Sequence, residues 1–271
     1  MPLKTDRIGP SPAIEVDHIG EGDFVLCLHG IGGNRRNWHD NLPALAKAGF
    51  HAAAWDARGY GGSDDYDGPL RLEDLRGDVL RLLDHFGVGR AHLIGLSMGG
   101  RIAADFCAAH PARVASAIFC DTHLGFAHMS DKARAKFIAL RKDPLMAGQE
   151  PADIADTVAA TLIGDPAHEA TYAKLVDSMN RLHKVSYIKA IEATVSADLR
   201  ALYDEVRCPA MVVVGALDRV TPPRLAREIA LKLGDARLAV IPGAGHLSNI
   251  EQAERFNALA VDFLSSQRRM P

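Results

Sequence analysis

A serine, a histidine and two aspartates stand where a nucleophile, a base and an orienting acid would be needed. Ser97 sits in Gly95-Leu96-Ser97-Met98-Gly99, behind the apolar run Ala91-His92-Leu93-Ile94 and ahead of Gly99-Gly100-Arg101-Ile102-Ala103-Ala104. That order reads as strand, sharp turn and helix, and a serine at such an apex carries a strained backbone whose flanks must be small. Gly95 and Gly99 meet the demand. The turn exposes the hydroxyl and aims the Met98 N–H, at a helix N-terminus, at the place where an oxyanion would form. A serine hydroxyl is a weak nucleophile near neutral pH, so it needs a base and a third group to orient that base. His246, in Pro242-Gly243-Ala244-Gly245-His246 beyond the last strand, is the leading base, the other histidines being scattered. For the acid, Asp218 follows the strand at Val212-Val213-Val214 and Asp121 follows Ile118-Phe119-Cys120; both would lie at strand C-terminal ends, where a parallel sheet builds its site. Either gives the order Ser-Asp-His, and the usual arrangement favours Asp218. The glycine-rich His29-Gly30-Ile31-Gly32-Gly33 lets a backbone approach a ligand closely, and the Ile31 N–H is the candidate second oxyanion donor.

These residues need a scaffold, and the chain supplies strands and helices in alternation. Ala13 to Ile19 alternates apolar and polar, as a half-exposed strand does, whereas Phe24-Val25-Leu26-Cys27-Leu28 is continuously apolar, as a strand covered on both faces. A helix from about Trp38 to Lys47, a strand His51 to Trp55, and an amphipathic helix through Leu72, Leu75, Val79, Leu82, Leu83 and Phe86 follow. Asp56 and Arg58, in a glycine-rich connection, read as a loop-bracing ion pair. After the strand Val114 to Cys120, residues 123–199 show helical periods and no strand, which reads as a helical lid inserted into a core of residues 1–122 and 200–271. His128, Arg134, Arg181, His183 and Lys184 are lid side chains that could face a pocket, and the near balance of acidic and basic residues there sets no preference for substrate charge. The sheet resumes at Ala210 to Gly215; Thr221 caps and Pro222 opens a helix to Leu233, and a strand Arg237 to Ile241 follows. Ser248 and Glu251 form a capping box for a final helix. The fold class is α/β, a mostly parallel sheet with helices on both faces and an inserted helical lid.

Composition narrows the function. The 271 residues are enough for one large domain, and 31 Lys+Arg against 34 Asp+Glu, with no basic stripe, argue against a nucleic-acid partner. Cys27, Cys107, Cys120 and Cys208 form no ligand spacing, so no metal is expected, and the chemistry calls for no cofactor. Met1 to Arg7 has no apolar run behind its charges and no stretch is long enough to span a bilayer, so a soluble cytoplasmic protein is expected. Exposed apolar lid surface would offer a homodimer contact.

The chain resembles an α/β-hydrolase over nearly its whole length. Within that superfamily, Gly95 to Gly100, Ala197-Asp198-Leu199-Arg200, Asp218 with Val220-Thr221-Pro222-Pro223, and His246-Leu247-Ser248-Asn249-Ile250-Glu251-Gln252 are similar to motifs of the 3-oxoadipate enol-lactonase group. One departure is His29-Gly30 in the oxyanion loop, a form commoner among esterases and carbon–carbon bond hydrolases. The resemblance implies a serine hydrolase of a small carboxylic ester or lactone. Ser97 would attack the carbonyl, His246 take and return its proton, and Asp218 orient the imidazole, while the Ile31 and Met98 N–H groups stabilise the oxyanion by about 3–4 kcal/mol each. A carbon–carbon bond hydrolase of ring-cleavage products would use the same triad, and a non-hydrolytic small-molecule receptor would keep only the pocket. A haloalkane dehalogenase or epoxide hydrolase is disfavoured, because those need a carboxylate where Ser97 stands.

Overall fold

A computed structural model describes residues 2–126, 130–165, 168–196 and 199–268. Eight strands form one sheet in the order β1-β2-β4-β3-β5-β6-β7-β8. They are β1 (Lys4–Ile8), β2 (Ile14–Ile19), β3 (Asp23–Leu28), β4 (Phe50–Trp55), β5 (Ala91–Leu96), β6 (Val114–Cys120), β7 (Ala210–Gly215) and β8 (Arg237–Ile241). β2 runs antiparallel to both β1 and β4, and the other pairings are parallel. Alternation along β3 explains why its whole length is apolar: Phe24, Leu26 and Leu28 enter one core while Val25 and Cys27 enter the core on the opposite face. One face carries α2 (Leu72–His85), α3 (Met98–Ala109) and α9 (Pro223–Leu233); the other carries α1 (Leu42–Lys47) and α11 (Ala253–Gln267). Between β6 and β7 the chain forms α4 (Asp131–Met146), α5 (Ala155–Leu162), α6 (Glu169–Met179) and α7 (Lys184–Ser196), and α8 (Arg200–Asp204) leads back to the sheet.

Several local expectations are corrected. β1 carries Lys4, Thr5, Asp6 and Arg7 and is largely exposed; an edge strand with so little apolar alternation leaves no pattern in the sequence. The expected helix from Trp38 to Lys47 is two pieces, a 3-10 turn Arg35–Trp38 capped by Asn34 and then α1, because Pro43 belongs in a first helical turn. Asp56 and Arg58 do brace their loop, but not each other. Asp56 pairs with Arg35, which also holds Glu15 at 2.6 Å, whereas Arg58 holds Asp78 at 2.7 Å. Thr221 does not cap α9, whose N-cap is Pro222; its hydroxyl turns to Asp218 instead. Ser248 and Glu251 make no capping box, since both side chains are used elsewhere in short α10 (Ser248–Glu251) and the final helix starts at Ala253.

The elbow at the end of β5 depends on close backbone packing. A Cβ on Gly99 would lie 2.1 Å from the Leu28 carbonyl oxygen of β3, and one on Gly95 would lie 2.3 Å from the Gly99 carbonyl. Both contacts are with backbone, which cannot rotate away. Gly99→Ala is therefore expected to destabilise the fold by about 3 kcal/mol, read as a lower midpoint in urea unfolding, whereas Gly77→Ala on α2, with open space around it, should be neutral or stabilising.

Candidate active site

Ser97 has φ 52° and ψ −111°, and one other non-glycine residue among those described, Asp121, has positive φ. Hydrogen bonds hold this unfavourable conformation in place. The Ser97 N–H donates to the Cys120 carbonyl at 2.8 Å, and the Ser97 carbonyl accepts from the Thr122 hydroxyl at 2.7 Å and from the Gly100 N–H at 3.0 Å. The side chain is thereby delivered to the sheet edge, where His246 Nε2 lies 3.0 Å from Ser97 Oγ.

Asp218 completes the row. Its Oδ2 is 2.8 Å from His246 Nδ1 and accepts the Thr221 hydroxyl at 2.6 Å, while Oδ1 accepts the N–H groups of Val220 and Thr221 at 2.8 and 2.9 Å. Burial alone would raise this carboxyl, but the charge of His246 and these bonds bring it down to about 2. Burial likewise works against the imidazolium, yet the Asp218 carboxylate, with a smaller contribution from Asp121, leaves the His246 pKa raised. With Asp218 ionised, Nδ1–H donates to it and Nε2 is left to accept the Ser97 proton.

The structure separates the two candidate acids. Asp121 makes no hydrogen bond to His246: its Oδ1 accepts the Gly215 N–H at 2.8 Å and its Oδ2 accepts the Ser248 hydroxyl at 2.6 Å, stitching the end of β6 to β7 and to the start of α10. Burial, then the charge of Asp218, pushes its carboxyl up to about 7.

The glycine-rich loop His29-Gly30-Ile31-Gly32-Gly33 closes on the same point, since a Cβ on Gly30 would lie 3.2 Å from Ser97 Cβ. His29 is fully buried and braces that loop. Its Nε2 accepts the Ala57 N–H at 3.0 Å, so Nδ1 carries the proton and donates to the Gly30 carbonyl at 2.9 Å; burial lowers its pKa and keeps it neutral. Ile31 and Met98 both line the cavity over Ser97. The Met98 N–H is a first-turn donor that α3 cannot pair internally.

Of the side chains considered from sequence for the helical insertion, four do not line this cavity. Arg134 pairs with Asp131, Arg181 with Asp177, His183 with Asp65 and Lys184 with Glu150, while His128 lies outside the described residues, as do Ala197 and Asp198. The charged residues that do line it are Arg101 and Arg141. Arg101 had a readable signal, standing one helical turn after Ser97 on α3; Arg141 on α4 had none. Glu251, read from sequence as a capping-box partner, braces the site instead: 4% exposed, it accepts the N–H groups of Gly245, Leu247 and Gly164 at 3.0, 3.2 and 2.8 Å, fixing the His246 loop against the end of α5.

A family model for the alpha/beta hydrolase fold matches residues 23–253. The chain belongs to the α/β-hydrolase fold family. A 2-hydroxy-6-oxononadienedioate/2-hydroxy-6-oxononatrienedioate hydrolase of Burkholderia vietnamiensis is 29% identical to this α/β-hydrolase, covering 94% of this chain and 92% of its own. Among solved structures, an enol-lactonase from Burkholderia xenovorans LB400 superposes with a TM-score of 0.83 at 28% identity, over 97% of this chain and 100% of its own. A thermophilic esterase from Thermogutta terrifontis gives 0.86 at 27% identity, over 97% and 99%. Among the described residues, no helix of this α/β-hydrolase is long and apolar enough to cross a membrane, and no cluster of His, Cys, Asp or Glu could hold a metal ion.

The geometry makes a definite electrostatic prediction. Asp218→Asn removes the charge that raises the His246 pKa, so an NMR titration of His246 should move to lower pH than in the wild type; Asp121→Asn should move it the same way by less. An unmoved His246 in Asp218→Asn would contradict the assigned contact.

Proposed function

We propose that this chain is a serine hydrolase that cleaves a small carboxylic ester or lactone through an acyl-enzyme. The observation that carries the reading is the continuous row Ser97 Oγ, His246, Asp218, with contacts of 3.0 and 2.8 Å beneath a cavity lined by Ile31 and Met98. Attack by Ser97 places the carbonyl oxygen toward the Ile31 and Met98 N–H groups, and preorganised donors of this kind contribute about 3–4 kcal/mol each. His246 takes the Ser97 proton, gives it to the departing oxygen and then activates water to release the acid. Residues 123–199 serve as a lid, with Phe137, Val158 and Leu162 roofing the cavity.

The lining also suggests a substrate class. Arg141 is 4% exposed, packs on the Phe137 ring at 4.0 Å and donates to the Phe137 carbonyl and the Thr161 hydroxyl at 3.3 Å. Tyr187 also lies beside it, but among the described residues no carboxylate pairs with it, and the cavity lining holds no Asp or Glu. A buried guanidinium without a counter-charge is costly, and an anionic group on the substrate would offset that cost. The preferred substrate is therefore an ester or lactone bearing a carboxylate, in keeping with the dioate named for the Burkholderia vietnamiensis relative. That relative, with the His29-Gly30 loop, also supports a second reading, hydrolysis of a carbon–carbon bond in a ring-cleavage product by the same residues.

Wild type is expected to hydrolyse members of a panel of p-nitrophenyl acetate and butyrate, γ- and δ-lactones and the mono-p-nitrophenyl ester of a dicarboxylic acid, and Ser97→Ala to lose that turnover. Silence of the folded wild type toward the whole panel, with activity on a vinylogous diketone acid, would establish the second reading instead. Arg141→Met should raise KM for the half-ester by about 10-fold or more and leave the neutral esters nearly unchanged, since a hydrogen bond to a charged group contributes roughly 1.5–3 kcal/mol. An equal effect on both classes would remove Arg141 from substrate recognition.

A further inference from the structure

Two of the four cysteines are neighbours in space although 101 residues apart in sequence: Cys107 Sγ on α3 and Cys208 Sγ in the loop before β7 are 3.9 Å apart. A disulfide has its sulfurs about 2.05 Å apart, so each sulfur need move only about 1 Å, within reach of small side-chain rotations. The pair is also asymmetric in access. Cys107 is buried, whereas Cys208 is partly exposed between exposed Arg207 and Pro209. The other two thiols provide an internal contrast, for Cys27 is sealed in the core beneath α1 and Cys120 lies against Asp121 and Ser248 with no thiol beside it.

We infer that Cys107 and Cys208 form a peroxide-sensitive dithiol, in which Cys208 is oxidised first and Cys107 resolves it to an intramolecular disulfide. The step balances as follows. The Cys208 thiolate attacks one oxygen of hydrogen peroxide, giving a sulfenic acid and hydroxide; the Cys107 sulfur then displaces the sulfenic hydroxyl as water, forming the S–S bond, and the proton first lost by Cys208 converts the hydroxide to a second water. Two thiols are oxidised by two electrons and one peroxide is reduced. The division of labour follows from the surroundings. The Cys107 contact, against the opposing effect of burial, lowers the Cys208 pKa, and Arg90 adds to the lowering, while that same contact and burial raise Cys107. Cys208 is thus both the more accessible sulfur and the more easily ionised.

The bond would tie the far end of the helix that begins beside Ser97 to the start of the strand that leads to Asp218. It would close a long loop in the unfolded chain without touching the Ser97 site, so it should act on stability and leave turnover alone.

The test treats purified, reduced protein with hydrogen peroxide, alkylates it under denaturing conditions and maps the peptides by mass spectrometry. The free thiol count should fall from four to two, with one peptide pair joined through Cys107 and Cys208 at a mass 2 Da below the reduced pair, reversed by dithiothreitol. Tm should rise by about 4 °C or more on oxidation of the wild type and not at all in Cys208→Ser, whose hydrolysis of p-nitrophenyl butyrate, or of whichever substrate wild type turns over, should stay within about 2-fold of the wild type. Cys208 carried on to sulfinic acid with Cys107 still alkylated, a disulfide between two chains, four unmodified thiols, or a linked pair without a rise in Tm would each overturn the proposal. None of these outcomes depends on which substrate the enzyme takes, so the inference stands or falls apart from the hydrolase assignment.

Discussion

Ser97 occupies a region of backbone space that side-chain-bearing residues avoid, and it stays there because the chain on both sides has nowhere else to go. β5 delivers it, α3 carries the chain away, and Gly99 lets that helix settle onto the Leu28 carbonyl at a separation no other residue type allows. The Ser97 N–H donates to Cys120, the last residue of β6, and the Ser97 carbonyl accepts from Thr122 just beyond it. Strain of roughly 1–3 kcal/mol is thus borne by the pairing of the central strands, and the same packing brings the glycine-rich loop after β3 against the serine. The candidate nucleophile and the candidate donors Met98 and Ile31 are brought together by one close approach.

Around that elbow, identical side chains acquire different roles from their surroundings. Asp218 and Asp121 are both buried carboxyls at strand ends, yet one is held near 2 and the other pushed up to about 7. Asp218 receives three hydrogen bonds and faces an imidazole that can carry positive charge. Asp121 faces the negative field of Asp218 and uses its oxygens to join strands. Two carboxylates so close cannot both be well stabilised in a low-dielectric site, and the His246 contact decides between them.

The alternation of strands and helices, and the sheet edge on which Ser97, Asp218 and His246 meet, could be read from the sequence because they rest on strong local signals: uniformly apolar strands, glycines flanking a serine, and a histidine after the last strand. What could not be read depends on contacts between distant segments. β1 is an edge strand whose polar residues show no period until β2 is beside it. Glu251 sits at capping-box spacing from Ser248, but folding turns it onto Gly245 and Gly164 instead. Arg141 is one of many basic residues in the helical insertion; it stacks on Phe137 within α4, but its reach to Thr161 is set by how α4 meets α5. Charge counting treats a solvated Arg181 and a buried Arg141 alike, although their environments give them opposite significance.

The central claim, that Ser97 is a nucleophile activated by His246, is tested most directly by covalent labelling with a fluorophosphonate, whose adduct mimics the tetrahedral intermediate. The account predicts one phosphonyl group per chain on the peptide containing Ser97, formed rapidly in the wild type and orders of magnitude more slowly in His246→Ala. Labelling of another residue, or none in folded protein, would contradict it.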